Sequence, residues 1–370
     1  MRKVGLVLTG GGARGAYQAG ALRAINDIIA DMDNPHPFQI LTGTSAGAIN
    51  VGFLASHGEQ FSASTQTLQY LWESMTTEKV FKIDLKTLIK IASHWVWDLS
   101  TGSFNKTKMA RALLDTEPLY HLIHREFNPV GIHNNLQQGF LDSVAITAVN
   151  YATGSSRTFF QGKGTPWQRN RRSGESVVLT PKHIMASAAL PLLFPPVQLA
   201  DNDYYGDGSL RNYTPLSPAI HLGAEKLMVI GVRRDDGDAP IVGDHFPSVA
   251  RMLSVVLNSI LLDAIDLDFE RMSRINTTLS KLPDQTNTSL RPIDVCMLRP
   301  SEDLGRMATL DSKKMPATIR YLVRGLGSTH EASDLISYLL FEPEFIDKLI
   351  QLGYQDTLKK ADEIRTFFSE

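Results

Sequence analysis

The first 60 residues alternate short apolar runs with glycine-rich turns and amphipathic segments. Residues 3–9 are almost continuously apolar, which is typical of a strand buried on both faces. After a turn at residues 10–15, apolar residues recur at helical spacing over residues 16–30. Residues 38–41 predict a second strand, and residues 46–57 predict a second helix. Two consecutive strand–turn–helix units indicate an α/β domain with a largely parallel sheet.

Further along the chain, the pattern predicts one hairpin, one more buried strand and a long helical region. Residues 141–150 and 158–161 are apolar runs on either side of Thr153 and Gly154, as in a hairpin. Residues 227–232 form another continuous apolar run, and residues 248–281 keep helical spacing throughout.

Two regions outside the predicted sheet have mainly helical patterns. Residues 62–114 interleave polar and apolar positions, so we expect an insertion that packs over the sheet. The segment after Pro300 is helical in pattern and rich in polar residues. We therefore expect a three-layer fold, with a mainly parallel central sheet flanked by helices over residues 1–300. A mostly helical extension at residues 301–370 is expected to pack on this domain.

Composition narrows the class of protein. The chain has 370 residues, of which 43% are hydrophobic and 21% charged, as in an ordinary globular protein. Its net charge of -2 gives no electrostatic reason to expect a nucleic acid partner. The single cysteine, Cys296, excludes an intramolecular disulfide and a zinc–thiolate cluster, and its apolar neighbours predict core packing.

The distribution of apolar residues predicts where the protein acts. No run of about 18 apolar residues occurs, so we expect no membrane span. The amino-terminal apolar run is too short for a secretory signal and continues into the glycine-rich turn. We expect a cytoplasmic protein, with peripheral contact to a membrane left open.

The turn Gly43-Thr44-Ser45-Ala46-Gly47 lies between the second predicted strand and the second predicted helix. A nucleophilic serine needs a sharp turn of this kind, and glycines two residues before and after it permit the strained backbone. The following helix amino terminus stabilises negative charge that forms beside Ser45. Taken alone, the five residues also fit an ordinary loop, so the strand–helix context carries the hypothesis.

The glycine-rich turn at residues 10–15 fits two kinds of site. Gly10, Gly12 and Gly15 have the spacing of a dinucleotide-binding fingerprint. That reading requires an acidic residue at the end of the second strand, whereas Asp31 and Asp33 precede that strand. The sequence therefore argues against a dinucleotide cofactor.

The other use of this turn is an oxyanion hole, which binds the negative charge formed during acyl transfer. Successive amides at Gly10, Gly11 and Gly12 can face a carbonyl oxygen without obstruction by side chains. For Arg14 two roles stay open: a fixed positive charge in this hole, or a brace that hydrogen bonds to loop carbonyls.

The third motif is Asp207-Gly208, within the polar run of residues 201–209. By itself an Asp-Gly pair is simply a turn signal. Only together with the glycine-rich turn and the Ser45 turn does it become a candidate part of an active site.

These three elements, in this order, resemble the signature of the patatin-like phospholipase family of bacterial type. The stretches 186–191, 194–196, 212–216 and 222–224 are similar to the family as well. The resemblance covers roughly residues 4–300. Ser209 departs from it, because the family usually has glycine or alanine there.

The resemblance implies a patatin-like catalytic domain with a dyad of Ser45 as nucleophile and Asp207 as general base. It also implies oxyanion binding by Gly10, Gly11, Gly12 and Arg14. The expected substrates are phospholipids, lysophospholipids or other acyl-ester lipids, and the chemical step is expected to need no metal or cofactor.

Three alternatives stay open. A catalytic histidine would convert the dyad into a triad. The histidines available include His57, His94, His183 and His221, and His221 has the hydrolase order because it follows Asp207. A second enzyme activity is transfer of the acyl group to an acceptor other than water. From a different class, the chain would be a silent module that binds acyl chains.

Two segments are candidates for contact with lipid. Residues 85–97 mix lysines, aliphatic residues, Trp95 and Trp97, which suits either a membrane interface or a helix packed on the core. The basic residues 163–174 predict an exposed loop that either meets phospholipid head groups or is simply solvated.

Overall fold

The computed structural model describes residues 2–32, 34–82, 93, 112–234, 246–283, 288 and 290–369. The segment at 85–97 that was considered for lipid contact lies outside the described residues apart from Ser93. Most of the predicted insertion at 62–114 lies outside them as well.

Ten strands form one mixed sheet in the part of the chain that the structure describes. The strands are β1 (Val4–Leu8), β2 (Ile40–Thr44), β3 (Ser143–Asn150), β4 (Ser155–Gly162), β5 (Trp167–Arg169), β6 (Arg172–Ser176), β7 (Val197–Gln198), β8 (Tyr204–Asp207), β9 (Lys226–Ile230) and β10 (Asp294–Leu298). Their spatial order is β10-β9-β1-β2-β3-β4-β6-β5, and β8 pairs with both β3 and β7. The half from β10 to β3 is parallel, as predicted.

The helices of the described residues precede, connect and follow these strands. They are α1 (Gly15–Ile28), α2 (Ala46–Ser56), α3 (Phe61–Glu73), α4 (Thr77–Val80), α5 (Glu117–Glu126), α6 (Pro129–Gln137), α7 (Pro181–Ser187), α8 (Ser217–His221), α9 (Val249–Leu261), α10 (Asp263–Leu279), α11 (Leu304–Asp311), α12 (Ala317–Leu326), α13 (Ser333–Leu339), α14 (Pro343–Leu358) and α15 (Ala361–Ser369). None of them is both long and apolar enough to cross a bilayer.

The apolar run of β1 alternates between two cores, one on each face of the sheet. Leu6 and Leu8 belong to the core that includes Leu22 of α1, whereas Val7 belongs to the core that includes Ala219 of α8. All five residues of β1 are buried, as expected for a strand covered on both faces. The predicted central sheet flanked by helices is therefore confirmed.

Three local predictions differ from the structure. β2 begins at Ile40 and runs to Thr44, because its register with β1 pairs Gly5 with Ile40 and Leu8 with Gly43. The predicted basic loop contains β5 and the first residues of β6, and these two strands pair antiparallel at the edge of the sheet. The predicted continuous helix is two helices, since the backbone turns at Leu262 between α9 and α10.

The helices after residue 300 pack closely on the amino-terminal part of the chain. A Cβ on Gly20 of α1 would lie 1.9 Å from the Ile350 carbonyl oxygen, and one on Gly353 would lie 2.1 Å from that of Tyr17. Only glycine at these two positions lets the backbones of α1 and α14 approach so closely. The division into domains at residue 300 remains a prediction.

Candidate active site

Ser45 occupies the single residue between β2 and α2. Its backbone has φ 57° and ψ -126°, a combination that is rare for a residue with a side chain. In enzymes that use a serine hydroxyl as the nucleophile, the serine lies at a sharp strand-to-helix turn with a strained backbone of this kind.

Gly43 and Gly47 make this turn sterically feasible. A Cβ on Gly43 would lie 2.3 Å from the carbonyl oxygen of Gly47. A Cβ on Gly47 would lie 2.2 Å from the carbonyl oxygen of Leu8 at the end of β1. Both contacts are with backbone atoms, which cannot rotate away, so the elbow requires glycine at both positions.

The sheet brings Ser45 and Asp207 together through β3. β4 pairs along the whole of one edge of β3, so β2 and β8 share the other edge. β2 runs parallel to β3 and ends with Thr44 opposite Thr147. β8 runs antiparallel and ends with Asp207 opposite Ala148. The carboxyl ends of β2 and β8 therefore meet head to head at adjacent residues of β3.

Asp207 is fully buried, and burial raises its pKa to about 6. Contacts with Ser45 and Ser209 lower this pKa in part. Oδ1 accepts a 2.9 Å hydrogen bond from the Ser209 amide. Oδ2 is buried and has no hydrogen-bond partner among the described residues.

The residues after Asp207 complete its turn. A Cβ on Gly208 would lie 2.1 Å from the carbonyl oxygen of Thr147, so the turn passes directly over β3. Asn212 Nδ2 donates to Thr44 Oγ1 at 3.2 Å and thereby ties this segment to the end of β2. The family-like residues at 208 and 212 thus support the aspartate and the elbow respectively.

The glycine-rich turn lies directly against Ser45. A Cβ on Gly10 would lie 2.8 Å from Ser45 Cβ and 2.9 Å from Ser209 Oγ. Gly11 and Gly12 have φ of 159° and 56°, and Gly12 begins a short 3₁₀ turn that leads into α1. Among the hydrogen bonds of the described residues, none uses the Gly10 or Gly11 amide as donor.

The Arg14 guanidinium binds the carboxyl-terminal helices. Nη2 pairs with Asp334 Oδ1 at 2.7 Å, and Nε donates to Ser337 Oγ at 2.8 Å. Both partners are on α13. Of the two roles left open by the sequence, these contacts with side chains of α13 favour a brace.

Ser187 is a buried residue of this site to which the sequence assigned no role. Its hydroxyl accepts a hydrogen bond from the Ser45 amide and donates one to the Thr147 carbonyl. The sequence offered one signal for Ser187, namely its place in the family-like stretch 186–191. No sequence pattern indicates its hydrogen bond with Ser45.

The described histidines considered for a triad have other partners. His183 forms a capping box with Thr180 at the start of α7, and burial lowers its pKa to about 4. The His221 ring stacks on Trp167 at 4.8 Å between centroids. The His57 ring contacts the Phe53 carbonyl oxygen at 3.0 Å. His94 lies outside the described residues.

The residues that a dinucleotide or a metal would need have other surroundings or lie outside the described chain. Asp31 forms an ion pair with Arg365 at 2.9 Å, and Asp33 lies outside the described residues. No three His, Cys, Asp or Glu side chains of the described chain are grouped to hold a metal ion. Cys296 is a buried free thiol within β10.

Comparison with known proteins identifies the family. The profile of patatin-like phospholipases matches residues 6–220, which include the glycine-rich turn, the Ser45 elbow and Asp207. The chain belongs to the patatin-like phospholipase family. Family membership supports a lipid-hydrolase activity. No similar protein was found among curated proteins.

Several solved structures match this chain at low sequence identity. VipD from Legionella pneumophila aligns with 98% of this chain and 67% of its own, at 12% identity and a TM-score of 0.36. The type III effector protein ExoU aligns with 100% of this chain and 54% of its own, at 12% identity and a TM-score of 0.39. Human GIVD cytosolic phospholipase A2 was solved in complex with methyl gamma-linolenyl fluorophosphonate. It aligns with 100% of this chain and 60% of its own, at 11% identity and a TM-score of 0.40. The chain thus spans between about half and two thirds of these proteins.

The match to the family ends at residue 220 of this chain. The two α13 residues that bind Arg14 lie beyond it. The arginine of the glycine-rich turn is therefore held by a part of the chain that the family pattern does not include.

Proposed function

We propose that this patatin-like phospholipase hydrolyses acyl esters of phospholipids or lysophospholipids through an acyl-serine intermediate. Ser45 is the nucleophile and Asp207 its general base. The observation that carries the proposal is the meeting of β2 and β8 on β3, where Thr44, the residue before Ser45, is opposite Thr147 and Asp207 is opposite Ala148. The strained backbone at Ser45 and the raised pKa of Asp207 add support.

In the first half of the reaction, Ser45 Oγ attacks the ester carbonyl carbon while Asp207 takes the hydroxyl proton. The carbonyl π electrons move to oxygen and form a tetrahedral oxyanion. When the C=O bond re-forms, the bond to the alcohol breaks, and the alcohol receives the proton from Asp207. Ser45 is left esterified by the fatty acyl group.

In the second half, water attacks the acyl-serine and gives a proton to Asp207. Collapse of the second tetrahedral intermediate breaks the bond to Ser45 Oγ, which recovers its proton. The fatty acid leaves as the second product. A pKa near 6 makes Asp207 a stronger base than an aspartate at the reference value of about 3.9.

The amides of Gly10, Gly11 and Gly12 are the proposed oxyanion donors. Each donor in such a hole typically lowers the activation free energy by roughly 3–4 kcal/mol. The close approach of Gly10 to Ser45 supports this assignment, because any side chain at residue 10 would fill the space above the nucleophile. Arg14 has no direct part in the proposed chemistry.

An apolar cavity beside α2 supports a fatty acyl substrate. Its lining includes Ile49 and Phe53 of α2 and Ile184 of α7. Ile49 follows Ser45 by one helical turn, so it lies on the same side of α2 as the nucleophile. Ser187, which contacts the Ser45 amide, lies on the same helix as Ile184. The cavity has a volume of about 20 Å³, which is room for about one water molecule. We propose that its side chains move apart to receive the first carbons of the acyl chain.

The test is release of fatty acid from a panel of phospholipids, lysophospholipids and neutral lipids. Ser45→Ala and Asp207→Asn should each reduce release by at least about 1,000-fold, in line with loss of a nucleophile or its base. A fluorophosphonate probe should label the wild type and fail to label Ser45→Ala. Thioester donors with added alcohols separate hydrolysis from acyl transfer by the product formed.

Asp268→Asn is the matched control for Asp207→Asn. Burial raises the pKa of Asp268 to about 6 as well, yet its carboxylate accepts from the Leu216 amide and does not contact Ser45. This variant should keep its activity. Substantial turnover by folded Asp207→Asn would exclude the dyad, and probe labelling of Ser45→Ala would exclude the nucleophile.

The cytoplasmic location and the peripheral membrane contact remain predictions. Sedimentation of the purified protein with anionic and neutral vesicles tests the second of them directly. Binding to neither kind of vesicle would contradict it.

A further inference from the structure

A buried ion pair joins the glycine-rich turn to the carboxyl-terminal part of the chain. The side chains of Arg14 and Asp334 are only 1% and 5% exposed. A buried charge that loses its partner is strongly destabilising, so the position of this guanidinium depends on that of the Asp334 carboxylate. The hydrogen bond from Nε to Ser337 gives the same edge of the guanidinium group a second partner on α13.

α13 also touches the turn with its main chain. A Cβ on Gly12 would lie 2.3 Å from the carbonyl oxygen of Tyr338. The ring of Tyr338 lies 4.5 Å from Arg14 Cζ, within the range of a cation–π contact. The glycine-rich turn is thus held by side-chain and backbone contacts with one helix.

Asn258 of α9 anchors α13 itself. Its Nδ2 donates to Asp334 Oδ2 at 2.8 Å, and its Oδ1 accepts from the Tyr338 hydroxyl at 2.5 Å. Ser337 Oγ also donates to the Asp334 carbonyl at 2.6 Å. One connected set of contacts thus includes Arg14, Asn258, Asp334, Ser337 and Tyr338.

The opposite side of the same turn contacts the nucleophile elbow. Gly10 abuts Ser45, and a Cβ on Gly15 would lie 2.8 Å from Ala46 Cβ. The turn is therefore clamped between α13 and the start of α2. A shift of α13 changes the distance between the glycine amides and an oxyanion formed on Ser45.

We propose that Asp334 and Ser337 are positioning residues that hold the glycine-rich turn in register with Ser45 through Arg14. This role rests on the proposed function, because it acts on the proposed oxyanion donors. Catalytic donors lose most of their effect when displaced by about 1 Å, since transition-state stabilisation depends on close geometry. The carboxyl-terminal helices are then part of the catalytic apparatus of this chain.

Asp334→Asn tests the proposal, because it keeps the shape of the side chain and removes its charge. The expected result with a soluble ester is a fall in kcat of about 10- to 100-fold, with KM changed less than about threefold. Hydrogen–deuterium exchange should increase in the peptide that covers residues 9–15. Ser337→Ala, which removes one hydrogen bond to Arg14, should show both effects more weakly.

Asp311→Asn is the matched control. Asp311 is also a buried acid of the carboxyl-terminal segment, and it pairs with Lys348 at 2.7 Å away from the glycine-rich turn. This variant should leave kcat and the exchange of residues 9–15 unchanged. If Asp334→Asn does not fold, Ser337→Ala decides the question against the same control.

Wild-type kcat and unchanged exchange at residues 9–15 in folded Asp334→Asn or Ser337→Ala would overturn the proposal. So would equal losses in the Asp311→Asn control. If the wild type releases no fatty acid and Ser45 does not react with the fluorophosphonate, the proposed function fails, and the exchange measurement still decides whether α13 holds the turn.

Discussion

The Ser45 backbone amide donates a 3.0 Å hydrogen bond to Ser187 Oγ, and that hydroxyl donates to the Thr147 carbonyl at 2.7 Å. One buried side chain thus ties the nucleophile elbow to β3 at Thr147, next to Ala148, which is opposite Asp207. The strained backbone of Ser45 is stabilised by this bridge, since strain persists only where the surrounding contacts determine it.

Replacing Ser187 by alanine should impair catalysis as well as stability. It leaves a buried donor and a buried acceptor without partners, at a cost of about 2–4 kcal/mol in the free energy of unfolding. Relaxation of the elbow should lower kcat by about tenfold or more. Urea unfolding and ester hydrolysis measure the two effects.

Ser56→Ala is the control for this prediction. Ser56 Oγ accepts from the Asn128 amide at 3.1 Å and donates to the Gly52 carbonyl at 2.8 Å, at the far end of α2. The same two-bond pattern is lost, so stability should fall similarly while kcat is kept. Equal activity of the two variants would show that Ser187 serves the fold only.

The rate of hydrolysis should depend on a single ionisation near pH 6. Asp207 must be deprotonated to accept the Ser45 proton, and burial raises its pKa to about 6. We expect kcat/KM for a soluble ester to rise as the pH increases through about 6 and then to level off. A midpoint below pH 4.5 would contradict the assignment of the base, as would a changed midpoint in Asp268→Asn.

Asp207→Asn should stabilise the protein at alkaline pH. The folded-state pKa of about 6 exceeds the unfolded value of about 3.9, so the folded state favours the protonated carboxyl. Its stabilising contribution is complete below about pH 4 and is lost as the pH rises through about 6. Two pKa units correspond to at most about 3 kcal/mol.

Urea unfolding of both proteins at pH 4.5 and pH 8 checks this sign. The variant should exceed the wild type in unfolding free energy at pH 8, and the difference should shrink markedly at pH 4.5. A variant that is less stable than the wild type at pH 8 would mean that the buried carboxylate is stabilised by contacts stronger than those described.

Gly12→Ala should be much more costly than Gly154→Ala, although both glycines have similar positive φ. The values are 56° and 61°, so backbone strain of about 1–2 kcal/mol is common to the two changes. A Cβ on Gly154 meets nothing within 4 Å, whereas one on Gly12 meets the Tyr338 carbonyl. We expect an additional loss of about 1–3 kcal/mol for Gly12→Ala, measured by thermal and urea unfolding. Equal losses would contradict close contact of α13 with the turn.

A larger side chain at residue 49 should change the preferred substrate. Ile49→Phe fills part of the apolar cavity beside α2, so the optimum acyl chain should become shorter in a series of esters. Leu253→Phe on α9, another partly buried apolar position, should leave the optimum unchanged. An unchanged optimum in Ile49→Phe would exclude this cavity as the acyl site.

The elements whose pattern is local were predictable from the sequence. β1, α1 and α2 lie within about two residues of their predicted limits, because continuous apolar runs and glycine turns mark their ends. β2 was shifted, since Thr42, Gly43 and Thr44 lack an apolar signal and join the strand only by pairing with β1 and β3. Three-residue β5 was missed because its strand is polar and lies at the edge of the sheet.

The relationships within the site depend on long-range contacts that no local pattern encodes. Ser45 and Asp207 were linked by resemblance to a family, whereas the geometric reason is the head-to-head meeting of β2 and β8 on β3. Arg14 and Asp334 are 320 residues apart, and neither shows a motif that names the other. Ser187 is likewise an ordinary serine until β3 and the elbow are in place.

The glycine contacts between α1 and α14 have a consequence for synthesis of the protein. During translation, residues 1–30 leave the ribosome long before residues 343–358, which cover the Gly20 side of α1. Until residues 343–358 have been made, this side of α1 is exposed to water or to chaperones. Residues 15–28 can therefore reach their final packing only after residues 343–358 have been made.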